Sequence, residues 1–100
     1  MKNKADLLPI GAIPYFIRLI SLYNKSLEEL IDLYHTTQNE MAFSKLLDHL
    51  VDDFDYYQAS FVHWQKEAKT EADHVSLEAL KPLLEESKRL ISKAAGIVQH

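Results

Sequence analysis

The chain of 100 residues has no cysteine, only two glycines and only three prolines. Without cysteine there can be no disulfide, no thiolate zinc ligand and no sulfur nucleophile, which suits a reducing compartment and makes the cytoplasm the expected location. Gly11 and Gly96 stand far apart, so neither a G-x-G-x-x-G turn nor a Walker loop exists to cradle a phosphate. The scarcity of Gly and Pro also argues against low-complexity or irregular structure, and 47% apolar with 26% charged residues is ordinary globular material. A chain this short builds one hydrophobic core and not two, so residues 1–100 are read as a single domain.

A more local absence concerns positive charge. Residues 46–65 contain Asp48, Asp52, Asp53 and Asp55 but no Lys or Arg, while the remaining eighty residues balance eleven acids against eleven bases. The whole net charge of -4 therefore resides in one segment. The same twenty residues hold Phe54, Tyr56, Tyr57, Phe61 and Trp64, half of the aromatic residues. A negative field and large contact groups coincide there.

Leu7 to Tyr23 is mostly apolar and follows Lys2 and Lys4, the arrangement of a secretory leader. Arg18 lies inside the run, Pro9 and Pro14 interrupt it, and no small-residue cleavage pattern follows. Its seventeen residues are also marginal for crossing a bilayer. The stretch is read as core, and no membrane partner is assigned.

What is abundant is helical periodicity. Ile13, Phe16, Ile20, Tyr23, Leu27, Leu30 and Tyr34 step by three and four, which keeps them on one helix face. Pro14 suits a first helical position, so the spacing predicts a helix over about 14–36 behind an N-terminal arm, 1–12. Ser26 and Glu29 have the spacing of a capping box; the alternative is a break near Asn24 to Ser26 that would give four helices. Thr37 and Glu40 repeat that spacing ahead of Phe43, Leu47, Leu50, Phe54, Tyr57, Phe61, Trp64 and Ala68, predicting a second helix over about 38–70, roughly 45 Å long. A last stripe, Leu77, Leu80, Leu84, Ser87, Ile91, Ala94 and Val98, predicts a helix over about 77–96. Pro82 places its regular part after one looser turn from Ser76, Glu85 and Glu86 then fall in its first turn ahead of Lys88, Arg89 and Lys93, and Gly96 offers a left-handed end.

Short connections between long helices force antiparallel neighbours, so the fold expected is all-α, an elongated antiparallel three-helix bundle. Leu46, Val51 and Val62 fall off the second stripe and widen its apolar face, which raises homodimerisation as an alternative role.

Candidate chemistry is thin. His49 with Asp53, His63 with Glu67 and His74 with Glu78 have the spacing of helix-surface ion pairs. His49 and His63 fall two places after stripe positions and so point away from a bundle core, where metal ligands converge. Asp32 with His35 and Glu71 with His74 share the acid-x-x-His spacing of di-iron bundles, yet an up-down-up chain puts the two pairs at opposite ends. A metal-binding bundle is thus the third reading, and no metal or cofactor is assigned. No Ser or Thr stands in a spacing that selects a His and an acid for nucleophilic catalysis, so the chain is not expected to be an enzyme. The eleven basic residues are scattered among as many acids, which disfavours direct contact with nucleic-acid phosphates.

The acidic segment remains. Asp48, Asp52 and Asp55 form one stripe, with Asp53 and Tyr56 beside it. Charge steers a basic protein to such a surface, and Tyr56 offers contact area of the kind that dominates affinity. The expected function is that of a small acidic helical module that inhibits or neutralises a basic partner, such as a nuclease toxin or nucleic-acid-binding protein, in the manner of an immunity protein, antitoxin or anti-defence protein.

Overall fold

The computed structural model describes residues 9–97. Among them a 3-10 turn at Ile10–Ala12 leads into three helices: α1 over Ile13–Thr37, α2 over Glu40–Glu67 and α3 over Glu71–Ile97. Of the N-terminal arm, Ile10 and Ala12 are half-buried against the core; Leu7 and Leu8 lie outside the described residues, as does Val98.

α1 and α2 run antiparallel. The Tyr34 ring stands 4.7 Å from Phe43 at one end of the pair, and Phe16 stands 4.8 Å from Trp64 at the other. α3 returns parallel to α1, because Asn24 meets Leu83 and Ser87 while, further along, Ile31 and Asp32 share a hollow with Leu90 and Lys93. The result is the elongated all-α bundle that the stripes predict, 47 × 28 × 20 Å. α1 packs more extensively on α3 than on α2.

The stripes are the core. Ile13, Phe16, Ile20 and Leu27 of α1, Phe43, Leu47 and Trp64 of α2, and Leu77, Leu80 and Leu84 of α3 are buried. Edge-to-face contacts of Phe16 with Trp64 and of Tyr23 with Tyr57 knit α1 to α2. On α3 Leu90 is buried where the stripe predicts Ile91, which is only half-buried, and the stripe resumes at the buried Ala94.

α1 is unbroken. Asn24, where a break was the alternative, is buried and bonded: its side-chain amide donates to the Leu83 carbonyl at 3.0 Å, and the Ser87 hydroxyl donates to its Oδ1. One residue earlier, the Tyr23 hydroxyl donates to the Leu50 carbonyl of α2. A residue that favours breaks and caps is retained in mid-helix because its polar atoms are all used between helices.

The helix ends correct three sequence expectations. Thr37 does not cap α2; it is the last residue of α1, which Gln38 closes in the left-handed conformation, φ 58°, with its N–H on the Tyr34 carbonyl. Asn39 caps α2 instead, its side chain accepting from the Ala42 amide at 3.1 Å. α3 starts at Glu71, six residues before its first buried leucine, on a capping box of Thr70 and Asp73. The Thr70 hydroxyl accepts from the Asp73 amide, and the Asp73 carboxylate accepts from the amides of Lys69 and Thr70. These bonds, that of Lys69 foremost, hold the Asp73 carboxyl below the ordinary carboxylate range.

Pro82 consequently sits inside α3 and does not begin it. An interior proline costs roughly 3 kcal/mol, but burying Leu77 and Leu80 ahead of it returns about 1.5–3 kcal/mol each, so the helix continues through. With the start moved back, Glu85 and Glu86 are mid-helix and Lys88, Arg89 and Lys93 are not in the last turn. Helix-dipole complementarity therefore does not explain them; Glu86 instead receives a two-pronged bond from Arg89, at 2.8 and 2.6 Å. Gly96 is helical and has no positive φ, so it is not a left-handed terminator.

Two outcomes test this description. Pro82→Ala restores an amide donor in mid-helix and is expected to raise unfolding stability in urea by about 1–3 kcal/mol; an unchanged midpoint would mean that the regular helix starts at Pro82. Asn24→Ala is expected to cost about 1–3 kcal/mol and to be non-additive with Ser87→Ala. Strict additivity would show that the two side chains do not share a network.

Candidate functional site

Each of the four acids singled out by the charge pattern is exposed on α2. Asp48, Asp52 and Asp55 follow one another at helical spacings of four and three, whereas Asp53 is turned roughly 100° from Asp52 and lies toward α1. Its position shows in the tyrosines. The phenols of Tyr23 and Tyr57 are both pushed above their ordinary range, first by burial and next by the charge of Asp53. The cluster thus has two parts, an outward stripe and a single carboxylate at the α1–α2 boundary.

Nothing basic neutralises either part among the described residues. The ion pairs there are His63 with Glu67 at 4.0 Å and Glu86 with Arg89 at 2.6 Å. No described Lys or Arg nitrogen therefore comes within 4.0 Å of Asp48, Asp52, Asp53 or Asp55. An interhelical salt-bridge role for the cluster is thereby removed, leaving charges that repel along the helix by a few tenths of a kcal/mol per pair.

Tyr56 is half-buried, its ring 6.2 Å from Phe16 and 6.1 Å from Tyr57. Part of its surface already serves the core. Phe54, Phe61 and Trp64 are buried, as their stripe positions predict, and Tyr57 is half-buried between Phe16 and Tyr23.

The histidine patterns do not assemble. Among the described residues no three His, Asp or Glu side chains are grouped so that they could hold a metal ion. His63 and Glu67 meet only at the limit of an ion pair. Asp32 lies near the end of α1 and Glu71 opens α3, which runs parallel to it, so the two acid-x-x-His pairs stand at opposite ends of the bundle. No described helix is long and apolar enough to cross a membrane.

Beside the acids lies a feature that the stripes leave out. Between the C-terminal half of α1 and the N-terminal half of α2 an open apolar hollow of about 320 Å³ is lined by Leu30, Leu33, Leu46 and Leu50, with Ser26, Glu29 and His49 at its edge. Leu33 and Leu46 remain 53% and 47% exposed. Leu46 was legible as an off-stripe residue, but Leu33 was not singled out. Its signal was available: Leu22, Ser26, Glu29 and Leu33 form a second row on α1 at spacings of four, three and four.

No protein-family model, curated protein or solved structure matches the chain.

Because the acids repel and pair with no described Lys or Arg, the triple change Asp52→Asn, Asp53→Asn and Asp55→Asn is expected to leave the melting temperature unchanged or to raise stability by about 0.5 kcal/mol. Marked unfolding would mean that these carboxylates hold the bundle together.

Proposed function

We propose that this chain is a small acidic interaction module that binds a basic protein and, by covering its charged surface, neutralises or inhibits it. The observation that carries the reading is the row of exposed carboxylates Asp48, Asp52, Asp53 and Asp55 with no described Lys or Arg paired with them. Such a cluster costs folding free energy and makes no ion pair among the described residues, so its benefit is sought outside the molecule. A concentrated negative field raises the encounter rate with a positive partner and rejects negative ones. The partner class that fits is a nuclease toxin or a nucleic-acid-binding protein, whose basic groove a narrow helical surface can occupy. The module acts by binding and not by catalysis, as an immunity protein, antitoxin or anti-defence protein would, in the cytoplasm. Tyr56 contributes whatever surface its packing on Phe16 leaves uncovered.

Self-association is the second reading, favoured by the exposure of Leu22, Leu33 and Leu46. Light scattering over a concentration series separates the two: a mass that doubles with concentration supports the homodimer, and a constant monomer mass supports the interaction module.

The direct test retains proteins from an extract of the source cell on wild-type and triple Asp→Asn baits, at low and high salt. One basic protein, held by wild type and released by salt or by the substitutions, is expected. Calorimetry with that protein after purification should show affinity reduced at least about tenfold by the triple change, or roughly 1.4 kcal/mol. Equal recovery on both baits would refute the reading and make the acids a solubility feature.

A further inference from the structure

Among the described residues nothing covers the face that α1 and α2 present together, and each helix carries one regular row along it. On α1 the row is Leu22, Ser26, Glu29 and Leu33; on α2 it is Leu46, His49, Asp53 and Tyr56. Each steps by three and four, so each keeps to one side of its helix. Both rows are complementary to their own reverse. Paired antiparallel with itself, the α1 row sets Leu22 against Leu33 and Ser26 against Glu29, and the α2 row sets Leu46 against Tyr56 and His49 against Asp53. Ser26, Glu29 and His49 border one hollow, so the midpoints of the two rows lie at nearly one level along the bundle. A single two-fold axis crossing the helices at that level serves both rows, and a surface on which residue i meets j while j meets i is what a two-fold interface demands.

Shape agrees with this pattern. Leu22 projects from α1 with 65% of its surface exposed, and the hollow of about 320 Å³ opens further along the same face between Leu33 and Leu46. Leu33 follows Leu22 by eleven residues, roughly 16 Å along the helix. Reversing a second copy about the axis brings its Leu22 to the level of Leu33, at the mouth of the hollow, and the same operation seats the first copy's Leu22 in the second hollow. Ser26, the smallest side chain of the α1 row, lies next to the axis, where the two α1 helices approach most closely.

The charges bordering the face have both signs, and their order selects the occupant. Lys25, Glu29 and Asp32 line the outer side of α1, and Lys45 precedes Leu46 on α2. Among the described residues the ion pairs are His63 with Glu67 and Glu86 with Arg89, so Lys25, Glu29, Asp32 and Asp53 have no opposite charge within 4.0 Å. On α1 the base precedes the two acids by four and seven residues. Antiparallel pairing therefore brings Lys25 of each copy to Glu29 and Asp32 of the other, twice by symmetry, and sets His49 beside Asp53. A parallel pairing would instead lay Lys25 on Lys25 and Asp32 on Asp32. A helix of uniform charge, of either sign, would meet like charge on part of this border, which disfavours it as a partner.

We propose that a second copy of this chain occupies the α1–α2 face in a two-fold antiparallel pairing, with Leu22 of each copy seated between Leu33 and Leu46 of the other and Lys25 opposite Glu29 and Asp32. This rests on the reading of the chain as self-associating and specifies the interface. Asp48, Asp52 and Asp55 lie off both rows, so the dimer keeps one outward acidic stripe on each copy.

Sedimentation velocity over a series of micromolar to near-millimolar concentrations measures the dimer constant. Leu22, Lys25, Asp32 and Leu33 are all exposed in the single chain, and circular dichroism with thermal melting verifies that the variants remain folded. A concentration-dependent passage from monomer to dimer is expected, weakened at least tenfold by Leu22→Asp and by Leu33→Asp. Lys25→Glu and Asp32→Lys, made singly, each oppose like charges twice and weaken the dimer in the same way; both changes in one chain exchange the signs of the pair and restore the wild-type constant. A monomer at every concentration would overturn self-association and this interface together. A dimer that survives both Leu→Asp changes would leave self-association standing and overturn the interface, and failure of the double charge exchange to rescue the single ones would overturn the antiparallel pairing.

Discussion

Two consecutive residues of α1 fix the relative heights of all three helices. Neighbouring side chains on a helix point about 100° apart, so Tyr23 faces α2 while Asn24 faces α3. Tyr23 reaches the main-chain carbonyl of Leu50, and Asn24 reaches the carbonyl of Leu83 and the hydroxyl of Ser87. Leucine stripes tolerate sliding, because one aliphatic contact resembles the next. A polar group buried between helices does not, since one turn of slip, about 5.4 Å, strands it without a partner at a cost of about 1–3 kcal/mol. The parallel α1–α3 pair resembles in this respect a parallel coiled coil, where a single buried asparagine selects register at some expense of stability. The surface inherits that register: Leu33 faces Leu46 across the hollow, and Asp53 lies beside Tyr23, because Tyr23 has locked α1 against α2 at Leu50.

The three stripes were legible because burial on one face demands a period near 3.6, and nearly every stripe position is buried or half-buried in the bundle. The helix ends were less legible for a physical reason. Several hydroxyl and amide residues stand near each end, and which of them caps depends on where the preceding helix finishes. Thr37 carries the right chemistry but is still helical, so the role passes to Asn39. Pro82 misled because local propensity weighs one residue at a time, whereas Leu77 and Leu80 add their burial only once α1 and α2 are present to receive them. The charge imbalance of residues 46–65 needed no structure to be seen. What the sequence left open was whether a base from another helix would meet it, a question that only three-dimensional packing answers.

The acids and the hollow are neighbours on α2, with Asp48, Asp52 and Asp55 turned outward and Asp53 nearer the α1–α2 boundary. Alone, the carboxylates would attract any cation and discriminate weakly, because exposed charges in water interact softly and are screened within about 10 Å at ordinary salt. Alone, the leucines would accept any apolar group. For the proposed interaction module, the combination of the two would favour a partner in which apolar and positive groups occur together. The bundle contributes rigidity to this arrangement, since both rows are carried on long helices and not on loops.

The larger of α1's two interfaces is the one with α3, and its buried hydrogen bonds join residues 59 and 63 positions apart. During synthesis the α1–α2 hairpin emerges first, carrying the lesser interface and exposing the apolar faces of Phe16, Ile20 and Leu27 that α3 will help to cover. Its docking must await the last third of the chain, after a loop spanning all of α2 has closed. The larger interface of α1 therefore forms only after α3 has been made, and until then the apolar face of the hairpin is open to mispairing.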